Sequence, residues 1–303
     1  VTESMPLRLR GKRMPRPMLL AVAAICLMTT SALAQDVPAQ DPPSQAAPAR
    51  AAPKLPLWEA GLFGLGFTQP AYPGADDRAS RALGLPYVIY RGKYLRADRG
   101  SVGVRVLKTP RVEVDVGFAA SLGSSSSDIA ARRGMADLGY MIEFGPRLKV
   151  NLGDVSTGQS DSRLQFPLRE VIDISYGFRS RGIAFEPEWV TGTRLPNRWF
   201  ISTSLGAIFG DEKLAGTFYG VAPGEATSTR ASYTARSGLI ALRAGLLASH
   251  SLTPDVRLFY ILRLESLAGA ANRDSPLVRR DAGWSAGIGL AWALARSERS
   301  ASD

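Results

Sequence analysis

Apolar and polar residues alternate along this chain in long runs, and the runs recur. In RVEVDVGF, residues 111–118, Arg111, Glu113 and Asp115 share one face while Val112, Val114, Val116 and Phe118 share the other. A period of two is the mark of a β-strand with one apolar and one charged face. The clearest case is DLGYMIEFGPRLKVNL, 137–152. Leu138, Tyr140, Ile142, Phe144, Leu148, Val150 and Leu152 lie on one side, and Asp137, Glu143, Arg147, Lys149 and Asn151 on the other. Further segments fall at 57–67, 83–91, 93–98, 100–107, 161–176, 182–191, 198–209, 234–250, 254–267 and 282–295, each bounded by turn residues. They predict twelve strands from 57 to 295, the even count expected of a single-chain transmembrane barrel; ten remain if one short hairpin is misread. The expected fold class is all-β, an antiparallel transmembrane β-barrel.

Strand length separates this reading from a soluble sandwich. The alternation of 137–152 would extend about 50 Å at about 3.3 Å per residue, whereas ordinary soluble strands span about 17–20 Å. With a periplasmic N-terminus, the outer connections are 68–82, 99, 121–136, 177–181, 210–233 and 268–281. The inner ones are 92, 108–110, 153–160, 192–197 and 251–253. The long connections fall mostly outside and the short ones inside, as such barrels arrange them. Trp58, Tyr72, Tyr87, Trp189, Trp199, Trp284 and Trp292 sit at or near strand ends, where interfacial girdles form.

The N-terminus gives the address. Arg8, Arg10, Lys12, Arg13 and Arg16 precede the apolar run MLLAVAAICLM, and SALAQ offers a cleavage site after Ala34. Residues 1–34 therefore read as a secretory signal peptide. Residues 35–56, rich in Pro, Ala and Gln, read as a disordered periplasmic linker. The barrel is expected at 57–295, with a tail at 296–303. The only cysteine, Cys26, lies in the signal, after Ile25 rather than a small residue, which disfavours lipoprotein processing. The mature chain then has no disulfide and no thiol nucleophile.

The formal charge of +10 overstates the basic character. The signal carries five basic residues and one acid, so of 37 basic and 27 acidic residues 32 and 26 remain. They are interleaved, with no basic run, and nucleic-acid binding is not expected.

Candidate chemistry is sparse. The one histidine, His250, is flanked by Ser249 and Ser251 at an expected periplasmic turn. Adjacent residues of a strand point to opposite faces, so a serine–histidine pair is disfavoured there. Glu113 with Asp115, and Glu186 with Glu188, are carboxylate pairs at a spacing of two. The same face carries Arg105, Arg111, Glu143, Arg147, Lys149, Arg163, Arg257, Arg263 and Glu265, so a charge-balanced barrel lining is the better reading. GLFGLG (61–66) lacks the strand–turn–helix setting of a dinucleotide loop. YPGADD (72–77) has too few acids for a calcium site, and SSSSD (124–128) reads as a flexible surface loop. No catalytic residue, metal or cofactor is expected.

Several segments together resemble the MipA/OmpV family of outer-membrane proteins. They are LWEAGLFGLGFTQPAYPGADD (57–77), GMADLGYMIEFGPRLKV (134–150), FYGV (218–221), SYTARSGL (232–239) and NRDSPLVRRDAGWSAGIGLAWAL (272–294). The resemblance implies an integral outer-membrane barrel in contact with outer-membrane lipid. It also implies a non-enzymatic scaffold meeting a lytic transglycosylase and a penicillin-binding protein, although other members are described as porin-like or adhesive. Family members tend to end on a terminal aromatic, whereas this chain runs on past Trp292 through ARSERSASD.

Overall fold

The computed structural model describes residues 56–91, 95–98, 101–153 and 160–300. The side chains of 91–106 and of Lys108 lie outside that description, as do the expected signal peptide and nearly all of the expected linker. The strands are β1 (Trp58–Pro70), β2 (Arg78–Arg91), β3 (Leu95–Asp98), β4 (Ser101–Lys108), β5 (Val112–Ser121), β6 (Met141–Asn151) and β7 (Ser160–Asp173). They continue with β8 (Arg179–Phe185), β9 (Glu188–Leu195), β10 (Trp199–Gly210), β11 (Gly238–Ser251), β12 (Val256–Ser266) and β13 (Ala282–Arg296). One helix, α1 (Glu212–Tyr219), follows β10.

Every described pairing is antiparallel, and the sheet closes on itself because β13 pairs with β1 and β10 with β11. β8 and β9 both run against β7, at Leu168–Asp173 and Ser160–Gln165 respectively. They are one pass of the chain, so the thirteen strands make the twelve expected passes. The break falls at Glu186–Pro187, because proline has no N–H for the ladder. The carbonyl of Pro187 still accepts from Ala207 N at 3.0 Å.

The β5–β6 hairpin shows how the alternation becomes a wall. Val112 pairs with Val150, Val114 with Leu148 and Phe118 with Phe144 on one face; Glu113 pairs with Lys149 and Asp115 with Arg147 on the other. Phe118 and Phe144 stack with centroids 6.3 Å apart on the outside. Around the barrel this outer face carries Leu62, Val88, Leu168, Ile183, Leu205, Leu246, Leu262 and Ile288, all 40–60% exposed. A continuous apolar belt of that size has no counterpart on a water-soluble monomer and fits hydrocarbon. No helix among the described residues is long and apolar enough to cross a membrane.

The buried apolar core lies at the long-loop end. Tyr72, Ile129, Leu138, Leu214, Tyr219, Val221 and Leu277 from the connections pack on Met141, Val171, Ala184, Ile208 and Ile240 of the inner wall. SSSSD, expected to be flexible, belongs to this packing. Ser126 is buried, its hydroxyl donates to Ala136 O at 2.6 Å and its backbone N–H donates to Asp137 Oδ1 at 2.6 Å. Long connections gather a core there because neither end of a closed sheet is otherwise covered.

Candidate functional site

The loops of the long-loop end form a lid. Asp211 caps α1, accepting from Leu214 N at 2.8 Å, and sets the helix across the mouth. At the other helix end, buried Arg132 donates to Thr217 O and Phe218 O, and Ser275 donates to Tyr219 O at 2.7 Å. Helix termini leave such carbonyls unpaired unless side chains satisfy them. Tyr219 donates to Pro73 O and Tyr72 to Leu277 O, while Arg230 spans Glu225 O, Ala131 O and Arg133 O. Asn272 grips both the N–H and the carbonyl of Arg236. The YPGADD acids are used here too: Asp77 accepts from Ala130 N at 2.6 Å, and Asp76 lies 4.0 Å from Arg279.

Tyr72 makes the lid sensitive to alkali. Burial pushes its phenol up from 10.0 to about 12. Because the folded value is raised, the stabilisation is complete below pH 10 and is lost as the pH rises through 12, about 2–3 kcal/mol in all. Limited proteolysis of the loops should accelerate across that interval, and Tyr72→Phe should flatten the dependence.

Beneath the lid is a chamber of about 330 Å³. Leu65 and Phe67 of β1, Leu83 of β2 and Ile261 of β12 form an apolar wall, and Leu214 and Phe218 of α1 form the ceiling. The lining also carries Glu143, Arg169, Glu186, Glu188, Arg243, Arg263 and Glu265, the last two following Ile261 on the same face of β12. Arg169 Nη1 lies 3.2 Å from Glu143 and 3.1 Å from Glu186. Arg243 Nε donates to Glu265 at 2.9 Å, and its Nη1 lies 3.8 Å from Glu186. Three glutamates thus share two arginines. Glu188 and Arg263 make no hydrogen bond or ion pair among the described residues.

Nearer the short-turn end the described interior charges pair with one another. Arg147 holds Asp115 through Nε and Nη2 at 2.9 and 2.8 Å. Lys149 Nζ bridges Glu113 and Asp115 at 2.8 and 2.9 Å. Arg163 meets Asp161 at 3.0 Å, and Arg257 donates to Ser251 Oγ at 3.1 Å. Of the candidates, Glu113, Asp115, Glu143, Arg147, Lys149, Arg163, Glu186, Glu188, Arg257, Arg263 and Glu265 all face the interior. Arg111 does not: β5 begins at Val112, leaving Arg111 exposed in the turn before it. The side chain of Arg105 lies outside the described residues. Arg169 and Arg243 went unnoticed in the sequence, although phase with Arg163 places Arg169 inward.

His250 lies inside β11, not in a turn, and points outward. Its ring stacks on Trp199, centroids 4.6 Å apart and 2° from parallel, with Tyr260 beyond at 6.2 Å from Trp199. Ser249 faces inward and Ser251 is engaged by Arg257, so no serine–histidine dyad forms. His250→Ala should lower the unfolding free energy by about 1 kcal/mol through the lost stack and change no hydrolytic rate, which denaturant titration and lipid and peptide hydrolysis assays would check.

A closed antiparallel barrel with an apolar outer belt and a charge-balanced interior defines an integral protein of the bacterial outer membrane. The chain belongs to the family described as MltA-interacting protein MipA, whose model matches residues 63–294. None of the curated proteins compared with it matches. Among solved structures it is similar to a bacterial polysaccharide outer membrane secretin, with 9% identity, coverage of 78% of this chain and 99% of that one, and a TM-score of 0.38. It is also similar to the translocator domain of autotransporter NalP from Neisseria meningitidis, at 12% identity, 78% and 88% coverage and a TM-score of 0.37. The outer membrane protease OmpT from Escherichia coli shows 9% identity, 78% and 95% coverage and a TM-score of 0.27. Outer-membrane barrels as a class carry their longer connections on the extracellular side and their short turns on the periplasmic side.

Proposed function

We propose that this protein is a closed, non-enzymatic anchor in the outer membrane for enzymes that remodel peptidoglycan, a lytic transglycosylase together with a penicillin-binding protein. The observation that carries the reading is the lid: a packed loop core over the extracellular mouth suits a barrel that holds position better than one that passes solutes. The family description, an MltA-interacting protein, supplies the class of partner. The partner surface is the periplasmic end, whose short turns leave Arg111 and Arg198 exposed, together with the 35–56 segment that precedes the barrel.

Affinity capture from crosslinked envelopes tests this. Recovery of a lytic transglycosylase or a penicillin-binding protein is expected. Recovery of neither, with other envelope complexes intact, would contradict the proposal. A porin-like role requires an open mouth, and the packed loop core over this one favours the anchor.

A further inference from the structure

The apolar outer belt encloses an island of hydroxyls on β7, β9 and β10. Ser160 pairs with Thr193, Ser162 with Thr191, and Thr191 with Thr203, so five hydroxyl side chains fill two adjoining rows of the outer face. Apolar residues border them along the strands. Leu164, Trp189 and Leu205 form the next row toward the long loops, and Leu195 and Trp199 the next toward the short turns. Trp189 and Leu205 are exposed, as is Thr203 between them and the turn.

The island is not self-sufficient. Thr191 and Thr203 share a hydrogen bond of 2.7 Å, and Ser160 and Thr193 one of 3.4 Å. Ser162 accepts from Trp189 Nε1 at 2.8 Å. Each hydroxyl has one proton to donate, and these bonds use two of the five. The other three O–H groups donate to nothing among the described residues. From Trp199 to Phe209, β10 climbs about 25 Å at about 3.3 Å per residue and a tilt of about 40°, the height of an apolar band. Thr203 stands about 10 Å up that climb, within hydrocarbon. Acyl chains accept no hydrogen bond, so lipid leaves the donors unmet.

A second copy of the chain meets them. Copies in one membrane share one orientation, so a two-fold axis along the membrane normal sets the island against itself at its own depth. Hydroxyls both donate and accept, which makes a surface of them complementary to its own copy. A cluster of like charges would instead repel its copy. We propose that the outer face of β7, β9 and β10 is a two-fold interface between copies of this chain in the membrane, centred on Ser162, Thr191 and Thr203. It lies on the barrel wall, apart from any partner at the periplasmic turns.

Cysteine variants of the full chain, treated in isolated envelopes with a short bis-maleimide, test the contact. The unaltered chain serves as the blank for Cys26. Thr203→Cys should give a product of twice the chain mass. Val88→Cys, exposed on β2 six passes round the wall, should not. Equilibrium sedimentation in detergent micelles should show a reversible dimer of the unaltered chain. Ser162→Ala combined with Thr191→Val and Thr203→Val should weaken that dimer about tenfold, in protein whose heat-modifiable migration shows it to be folded. Equal cross-linking from Thr203→Cys and Val88→Cys would overturn the proposal. So would an unaltered chain that stays monomeric at every concentration, with or without bound phospholipid, or an undiminished dimer of the folded triple variant. If the triple variant does not fold, the cross-linking and the sedimentation of the unaltered chain decide the matter.

Discussion

Replacing residues 211–220, which contain α1 and its cap, by a glycine–serine linker should turn a silent barrel into a conducting one. The helix supplies Leu214, Ala215 and Tyr219 to the buried lid, and its carbonyls are the acceptors for Arg132 and Ser275. Losing it removes three buried side chains and takes two of its acceptors from the buried Arg132 guanidinium, leaving Ala136 O. The first effect costs about 2–5 kcal/mol for a large core side chain and the second about 1–3 kcal/mol. The remaining loops then have little to hold them over the mouth. In planar bilayers the unaltered protein should show no discrete steps, while the variant should show reproducible ones. Steps of equal size from both proteins would mean that the lid does not seal.

Asp115→Ala should have the largest effect on stability of any single interior substitution. Asp115 and Arg147 are each only 5% exposed, joined by two hydrogen bonds, and Lys149 leans on the same carboxylate. Removing the acid leaves two cations facing each other in a water-poor interior, a change that costs about 3–5 kcal/mol for a buried pair. Urea unfolding in lipid vesicles would read the loss. Exchange of Asp115 and Arg147 together for leucine and methionine should recover much of it, because an apolar pair carries no desolvation cost. An unaltered midpoint in Asp115→Ala would show that the pair is hydrated.

The barrel was legible in the sequence where the two faces differ in chemistry. In β5 and β6, valine and phenylalanine oppose glutamate, aspartate, lysine and arginine, and pairing follows the alternation residue for residue. The reading faded where one face lost its character. The RASRA start of β2, from Arg78, has no apolar residue larger than alanine, so the expected strand began at 83, although β2 pairs with β1 up to Pro70. Helix α1 and the 3-10 turns around Ile129 were invisible, because eight residues or fewer carry little periodicity and their partners lie far off in the chain. The interior charges were recognised as a lining, but their partners were not. The Arg243–Glu186 contact crosses over β10, which a pattern within single strands cannot reveal. Pro187 was present in the sequence as a break signal, yet the expected segment 182–191 ran through it, because the chain keeps its direction across the gap.

The central claim is that the apolar face of this sheet meets lipid, and the tryptophans test it most directly. All five, Trp58, Trp189, Trp199, Trp284 and Trp292, lie on the outer face, and four of them are 38–49% exposed. Fluorescence of the folded protein in vesicles with brominated acyl chains should be strongly quenched, while aqueous iodide should have little effect. Fluorescence untouched by brominated lipid and quenched by iodide would contradict the account, because it would place that face in water.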